Sequence, residues 1–469
     1  MRKNSAVLAV LTLVGGCALT PPYHPPSTLL VADFKEAGGW ESATPLDDTP
    51  RGAWWSRFGD PQLDALERAL ETQSPSLAAA AARKAQADAL LAQARAARSP
   101  VLAANADTSR TRLSATRPLS QGTSATYSSE DIGGSISYEV DLWGRVRNSI
   151  AAGRATAQAS AADLMAVRLA LEAQLAESYF ALRGIDDDVA LLERSISAYQ
   201  RAYDLTRVRH QGGIASGLDE SRALTVLDNA KAQLDAARAA RAITEHELGV
   251  LTGQLPSAFN VAPTSQTITP PVIVAVAPSQ LLQRRPDVAA AERRMFAANA
   301  QIGIARAAFY PSLTLGGSAG YLTTGSNLLS APNAFWALGP ASALVNLFDG
   351  GKRRAVTQQA RAAFDEAAAT YRSTVIGAFQ DVEDALAKLH HLQDEVRHQD
   401  EAAQSAQTTL DLAFIRYHDG AASYLDVVTA QTAALDAARA ALALHTQRLQ
   451  AHVALIRAFG GDYSSGDSR

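Results

Sequence analysis

The sequence has one cysteine, Cys17, close to the N-terminus. No disulfide can therefore form within the chain, even in an oxidising compartment. After the first twenty residues no apolar run reaches the length of about 18 that a transmembrane helix needs. If this chain crosses a bilayer, strands must do it. The charge balance has no basic excess, with a net charge of -4, so a nucleic-acid footprint is missing. At 47% hydrophobic and 19% charged residues, the chain fits neither a disordered protein nor a polytopic helical membrane protein.

Catalytic and metal chemistry is also missing from the pattern. Of nine histidines, His390, His391 and His398 share one expected helix, but no His-Glu-x-x-His or cysteine cluster accompanies them. Gly212-Gly213 lacks the following Lys-Ser/Thr of a phosphate loop. Asp186-Asp187-Asp188 reads as a solvated face, and no nucleophile stands beside a base. The expectation is a protein that is not an enzyme and carries neither cofactor nor metal.

Proline is absent from Ser149 to His210, and this stretch organises the rest. At alternating steps of four and three it reads Leu171, Leu175, Ser178, Leu182, Ile185, Val189, Leu192, Ile196, Tyr199, Tyr203. Such a 3.5-residue apolar period is the seam of a helix packed in a left-handed supercoil. A helix over the whole stretch would be about 90 Å long. The spacing recurs in Val375, Phe379, Val382, Leu386 and Leu389. The chain is built on two very long helices.

The N-terminus carries a basic pair, Arg2-Lys3, an apolar run from Ala6 to Val14, and Val14-Gly15-Gly16-Cys17. This reads as a bacterial signal peptide (1–16) ending in a lipobox, with Cys17 acylated as the mature N-terminus. Ala18 follows in place of an inner-membrane retention Asp, which favours the outer membrane. Residues 17–60 form a Pro- and Gly-punctuated arm ending in Trp54, Trp55 and Phe58, aromatics expected to pack on a helix. Asp60-Pro61 then opens a helix, with Asp60 as N-cap.

Two structural repeats follow, over 61–255 and 279–461, joined by a proline- and threonine-rich linker over 256–278 and followed by a tail over 462–469. Ser74-Pro75 to Ser99-Pro100 aligns with Arg285-Pro286 to Tyr310-Pro311 at an offset of 211. Gly213-Ile214-Ala215-Ser216-Gly217-Leu218-Asp219 aligns with Gly420-Ala421-Ala422-Ser423-Tyr424-Leu425-Asp426 at 207. Between the Ala-rich helices and the long ones, strand pairs are expected at about 101–142 and 312–347. From Ile132 to Leu142 the even positions are apolar or glycine and the odd ones mainly polar. Leu313, Leu315, Ala319 and Tyr321 alternate against Thr314, Gly316, Ser318 and Gly320. About ten residues per strand suits a tilted membrane crossing. Four strands cannot close a barrel, and bacterial barrels need at least eight, so the chain must oligomerise. Eight strands have a filled interior whereas twelve leave room for a lumen, which favours a trimer.

Several of these motifs occur together in one family: the lipobox, Trp54-Trp55-x-x-Phe58-Gly59-Asp60-Pro61, Asp141-Leu142-Trp143-Gly144-Arg145, Leu347-Phe348-Asp349-Gly350-Gly351, and the twin Gly-x-Ala-Ser-x-Leu-Asp turns. The chain resembles the TolC-like outer-membrane factors of tripartite efflux pumps, in their NodT-type lipoprotein branch. The resemblance spans nearly the whole mature chain. It implies a mainly α fold with a membrane β-barrel, closed as a homotrimer with a twelve-stranded barrel and a twelve-helix periplasmic tunnel. It implies a lipid-anchored protein of the outer membrane that extends into the periplasm. Its implied partners are outer-membrane lipid, a periplasmic adaptor and an inner-membrane pump, often of the resistance-nodulation-division type that underlies multidrug resistance. Service to a type I protein-secretion system is the alternative within the same fold, and a periplasmic adaptor lipoprotein is a more distant one.

The long helix pairs are expected to turn around Gly213 and Gly420 and to form a periplasmic gate. Threefold symmetry would gather Leu425 and Asp426 into rings at the mouth, with Leu218 and Asp219 of the matching turn as further gate residues. Arg209 and Arg416 would hold it shut by pairing with acids on neighbouring helices. Many relatives carry a further Asp where this chain has Thr429, which leaves the number of carboxylate rings open.

Overall fold

The computed structural model describes residues 19–23, 52–118, 122–264, 268–271, 284–325 and 328–461. Cys17, the signal peptide, most of the N-terminal arm and much of the 256–278 linker lie outside these. A 3-10 turn at Trp54–Phe58 opens the described body. It is followed by α1 (Pro61–Gln73), α2 (Pro75–Ala96), β1 (Val101–Leu113), β2 (Ala125–Val140), α3 (Arg145–Gln211) and α4 (Gly217–Leu251). The second half runs α5 (Pro286–Ala307), β3 (Ser312–Thr323), β4 (Ala334–Leu344), α6 (Lys352–His418) and α7 (Tyr424–Ala458). The two longest helices each have 67 residues and the two returning helices 35, with starts 207 residues apart. No described helix is long and apolar enough to cross a membrane.

The chain divides into two compact units. One contains Arg83–Ala161 and Ala290–Arg372, with residues 19–23 of the arm. Its four strands form a single antiparallel sheet in the order β1-β2-β3-β4. Each strand pair ends two or three residues short of its expected C-terminal bound. β2 stops at Val140 because Asp141 turns to cap the long helix, accepting the N–H groups of Val146 and Arg147 at 3.0 and 2.9 Å. β4 stops at Leu344, and Asp349 plays the same part for α6, accepting the N–H groups of Gly351 and Arg353. The Arg353 guanidinium also holds the Asp349 carboxyl below the usual carboxylate range. Trp143 stacks on Tyr310 at 4.7 Å and donates to the Pro311 carbonyl at 2.7 Å.

In the same unit the arm lies on α5. Arg306 donates to the Leu19 carbonyl at 3.0 Å, Asn299 donates to that of Pro21 at 3.1 Å, and the Tyr23 ring meets Phe296 edge-on at 5.0 Å. These α5 residues are spaced by three and seven, one face of a helix.

The second unit contains Ala162–Ala289 and Ser373–Arg469 with the segment up to Ala82. Every seam position from Leu171 to Tyr203 is buried or half-buried, as are Val375, Phe379, Val382, Leu386 and Leu389. Leu192, Tyr199, Leu227 and Leu234 form one core cluster between α3 and α4, joined by Leu435 of α7. At the start of α1, Asp60 accepts from the N–H of Gln62 at 2.8 Å and of Leu63 at 3.3 Å, with Pro61 in the first turn. Trp54, Trp55 and Phe58 are buried, and Phe58 packs on Phe180 of α3 at 4.8 Å.

One expectation fails in this unit. Asp186-Asp187-Asp188 is not a solvated face. Asp186 is only 5% exposed and pairs with Arg183 at 2.9 Å and Arg241 at 2.6 Å. Asp188 binds Arg439 through both carboxylate oxygens, at 2.8 and 2.9 Å. The guanidinium groups come from other helices or another turn, so a run that looks self-repelling in sequence is neutralised in space. Arg241 and Arg183 also donate to the carbonyls of Val261 and Ala262, and Glu245 accepts the Val261 N–H. The cluster thereby straps down the segment that follows α4.

Candidate functional site

The two helix-hairpin turns share one backbone solution. At the end of α3 the N–H of Ile214 bonds the Arg209 carbonyl at 2.8 Å and that of Gly213 bonds His210 at 2.9 Å. At the end of α6, Ala421 bonds Arg416 at 2.8 Å and Gly420 bonds Tyr417 at 3.1 Å. This is the Schellman pattern, and it requires a left-handed residue at one position. Gly213 with φ 74 and Gly420 with φ 77 occupy it, where a side chain would be strained.

Both returning helices begin with a serine cap and an aspartate three residues on. Ser216 Oγ accepts the Asp219 N–H at 3.2 Å and donates to its carboxylate at 2.8 Å. Asp426 accepts from the Ser423 N–H at 3.0 Å and from its hydroxyl at 3.1 Å. The carboxylates therefore serve the helix ends, where the dipole favours them. Between cap and carboxylate, Leu218 and Leu425 project outward, 58% and 46% exposed. An exposed leucine placed alike at both tips is apolar surface available to another chain.

Within one chain the two arginines reach backbone carbonyls. Arg209 pairs with no acid among the described residues. Its guanidinium lies 4.8 Å from the Tyr417 ring centre and donates to the carbonyls of Tyr417 and His418 at 3.3 and 3.2 Å. Both carbonyls belong to the end of α6, where that of Tyr417 also accepts the Gly420 N–H, so Arg209 of the first turn adds a cap to the second. Among the described residues Arg416 reaches only the Ala421 carbonyl of its own turn, at 3.5 Å. Tyr417 and Tyr424, which the sequence reading passed over as site residues, pack together at 5.1 Å over Ala223 and Val427. Burial pushes the Tyr424 phenol up to about 12. The available signal was the exchange of Gly217 for Tyr424, one of two differences between the aligned turns.

The sheet has two chemically distinct faces. The register sets Leu102, Ile136, Gly317 and Leu338 in one row and Ala104, Gly134, Ala319 and Trp336 in the next, all on one side. Leu102, Trp336 and Leu338 are among the most exposed large apolar side chains of the described residues. The opposite side carries Asn105, Asp107, Asp131, Ser135 and Ser318, with Asn105 donating to Asp131 at 3.2 Å. β1 and β4 are edges with no partner in the sheet.

Sequence reasoning also missed Glu67. It is fully buried, and neither carboxylate oxygen has a hydrogen-bond partner among the described residues. Arg168 binds Glu172 at 2.7 Å and also pairs with Glu71, while Trp54 donates to Glu172 at 3.0 Å. Burial first, then the neighbouring Glu172 and Glu71, raises the Glu67 pKa well above the ordinary range. Burial likewise raises Glu172, against the pull of Arg168 and Trp54. No group of three or more His, Cys, Asp or Glu among the described residues is arranged to hold a metal ion.

Comparison with known proteins gives consistent matches. The family model described as outer membrane efflux protein matches residues 66–254 and 277–461. The pyoverdine export outer membrane protein OpmQ of Pseudomonas aeruginosa is 32% identical, over 99% of this chain and 98% of its own. The outer membrane protein OprJ of the same organism is 33% identical, over 99% and 96%. The solved outer-membrane channel OprN superposes with a TM-score of 0.87 at 27% identity, covering 95% of this chain and 99% of that one.

Proposed function

The chain belongs to the outer membrane efflux protein family, and from that premise we propose that it is the passive, trimeric duct of a tripartite efflux system. It is an outer-membrane efflux component and not an enzyme. The observation that carries the finer reading is the sheet: four strands, an exposed apolar face and two unpaired edges. An open edge is not tolerated in hydrocarbon, and a bacterial barrel needs at least eight strands. Three copies joined β4 to β1 give twelve, enough for a lumen. The apolar rows face lipid and the Asp107–Asp131 face lines the interior.

In this reading each half, 61–255 and 279–461, supplies one strand pair and one long helix pair, and the 256–278 linker joins them. Cys17 is acylated after removal of residues 1–16 and anchors the arm. The turns at Gly213 and Gly420 form the periplasmic mouth. Leu218 and Leu425 narrow it, Asp219 and Asp426 favour cations, and a periplasmic adaptor docks there. The adaptor and an inner-membrane pump of the resistance-nodulation-division type supply the energy, since the duct has no chemistry of its own.

Outer-membrane fractions run without heating test the assembly, and planar-bilayer recording tests the duct. A heat-modifiable species of three chains that conducts ions is the expected result. A monomer that conducts, or a trimer that never does, contradicts the reading.

A further inference from the structure

The first strand pair carries charge where the second has none. From Ser312 to Phe348 there is no Asp, Glu, Lys or Arg. In the first pair, the stretch from Thr108 to Ser129 contains Arg110, Arg112 and Arg117 and no acid. All three arginines are exposed, and none has a side-chain hydrogen bond or ion pair among the described residues.

Their placement follows from the register. β1 pairs with β2 without a bulge from Val101↔Ser137 to Leu113↔Ala125. Side chains alternate along a strand, so Arg110 and Arg112 share the face of Leu102, Ala104 and Ala106. The apolar rows on that face extend from Val140 and Leu313 to the row of Ala106, Ile132, Tyr321 and Ala334. Eight residue steps of β2 span that band, about 26 Å along the strand and about 20 Å of depth after the usual tilt. Arg110 lies four residues past Ala106, about 13 Å farther along the strand. Thr108, Glu130 and Thr323 form the row between. Glu130 shares the face but pairs with neither arginine, and Asp107 and Asp131 belong to the other side. The guanidinium groups are thus aimed outward, beyond the hydrocarbon band, and no described residue neutralises them. Arg117 stands in the turn above them, where its N–H meets the Ser114 carbonyl at 3.4 Å.

We propose that Arg110, Arg112 and Arg117 form a binding surface for the phosphate groups of a phosphorylated glycolipid in the outer leaflet. The inference rests on the lipid-facing assignment of the apolar rows made above. Both strands of this pair meet their helices at the other end, so the turn bearing Arg117 is the end farthest from the helices. A planar guanidinium fork matches phosphate oxygens two at a time, and two forks on one face about 7 Å apart can grip one headgroup from adjacent positions. A zwitterionic headgroup offers no net charge to such a surface. The uncharged second pair has nothing comparable, so each chain provides one such surface.

The test uses the purified full-length protein in detergent, with bisphosphorylated lipid A and its enzymatically dephosphorylated form as probes, read by native mass spectrometry. The protein should retain the phosphorylated probe in preference to the dephosphorylated one, and phosphatidylglycerol should bind more weakly. Arg110→Ser with Arg112→Ser should cut retention of the phosphorylated probe about tenfold and leave the other probe unchanged, as expected for the loss of two exposed charge-assisted contacts. Arg110→Lys with Arg112→Lys should keep part of the preference and lose it at about 1 M salt, where the Debye length is about 3 Å. Equal retention of both forms by the wild type, unchanged preference in the serine variant, or equally tight phosphatidylglycerol overturns the proposal. Bilayer conductance of the same samples separates the two readings. A protein that conducts but shows no phosphate preference sinks the surface alone, whereas one that neither inserts nor conducts sinks the barrel beneath it.

Discussion

In the first half of the chain Arg183, Asp186 and Arg241 form a buried ion-pair cluster; 207 residues on, in helices of equal length, the same positions hold His390, Gln393 and Arg448. The second site has no such cluster among the described residues, and the Nε of Arg448 is buried without a hydrogen-bond partner. The two backbones match because they depend on the apolar period, which both halves keep. The ionic chemistry differs because it answers to neighbours that only one half has. In the first half the guanidinium groups hold the carbonyls of Val261 and Ala262, so the cluster serves the segment beyond α4 as much as the helices. The strand pairs show the same division, charged in the first half and uncharged in the second.

The largest expected effect attacks this contrast at its centre. Asp186→Ala leaves Arg183 buried without its carboxylate and Arg241 with Glu245 alone, and should cost about 3–5 kcal/mol, the usual loss when one partner of a buried pair is removed. Gln393→Ala, at the matching exposed position, should stay within about 0.5 kcal/mol. Denaturant midpoints of the detergent-solubilised protein measure both. Equal losses would mean that the ionic cluster adds nothing specific to the first half.

The sheet offers the next test. Ile136→Arg sets a charge on the apolar face and should cost about 2–4 kcal/mol near the bilayer midplane, whereas Ser135→Arg faces the interior and should be tolerated. Repeating the pair as Ala319→Arg and Ser318→Arg asks whether the uncharged strand pair obeys the same rule. Refolding into vesicles of known composition reads the difference, and equal costs on the two faces would break the assignment of lipid and lumen.

What could be read from the sequence follows a physical line. The seam from Leu171 to Tyr203, the Asp60 cap and the alternation from Ile132 onward are local patterns, and each marks an element that forms. Gly213 and Gly420 were legible because a Schellman turn demands a left-handed residue at one place. Asp186 was misread because Arg241, one of its two partners, stands 55 residues away on another helix, and no local pattern records that distance. Arg209 is a similar case: its partners are carbonyls 208 and 209 residues on, and a carbonyl leaves no trace in residue type. Glu67 looked like an ordinary helix-surface acid, and its burial comes from tertiary packing.

That buried carboxyl gives a prediction without a counterpart in the described second half. Its pKa is raised in the folded state, so folding favours the protonated form. Its contribution to stability is therefore greatest below the ordinary value of 4.5 and is lost as pH rises from there toward the folded pKa. Glu67→Gln removes the titration and should make the protein more stable at pH 8 than the wild type, with little difference at pH 4. Thermal melts across that range check it. A variant that is equally destabilised at every pH would show that the carboxyl is needed for its shape and not for its proton.

The smallest effects belong to the turns. Arg209 caps the end of α6 and Arg416 reaches only its own turn, so Arg209→Ala should raise single-channel conductance more than Arg416→Ala. Leu425→Gly should widen the mouth, and Asp426→Asn should weaken cation selectivity. If all four record as wild type, the constriction lies elsewhere.

Closure of the sheet by three copies is the claim that everything else depends on. Cysteine pairs, one scanned along β1 and one along β4 in a Cys17→Ser background, measure it directly through disulfide cross-linking in outer-membrane fractions. A closed ring should give covalent dimers and trimers at in-register pairs and nothing larger. A ladder that stops at two chains, or one that continues past three, would contradict the account.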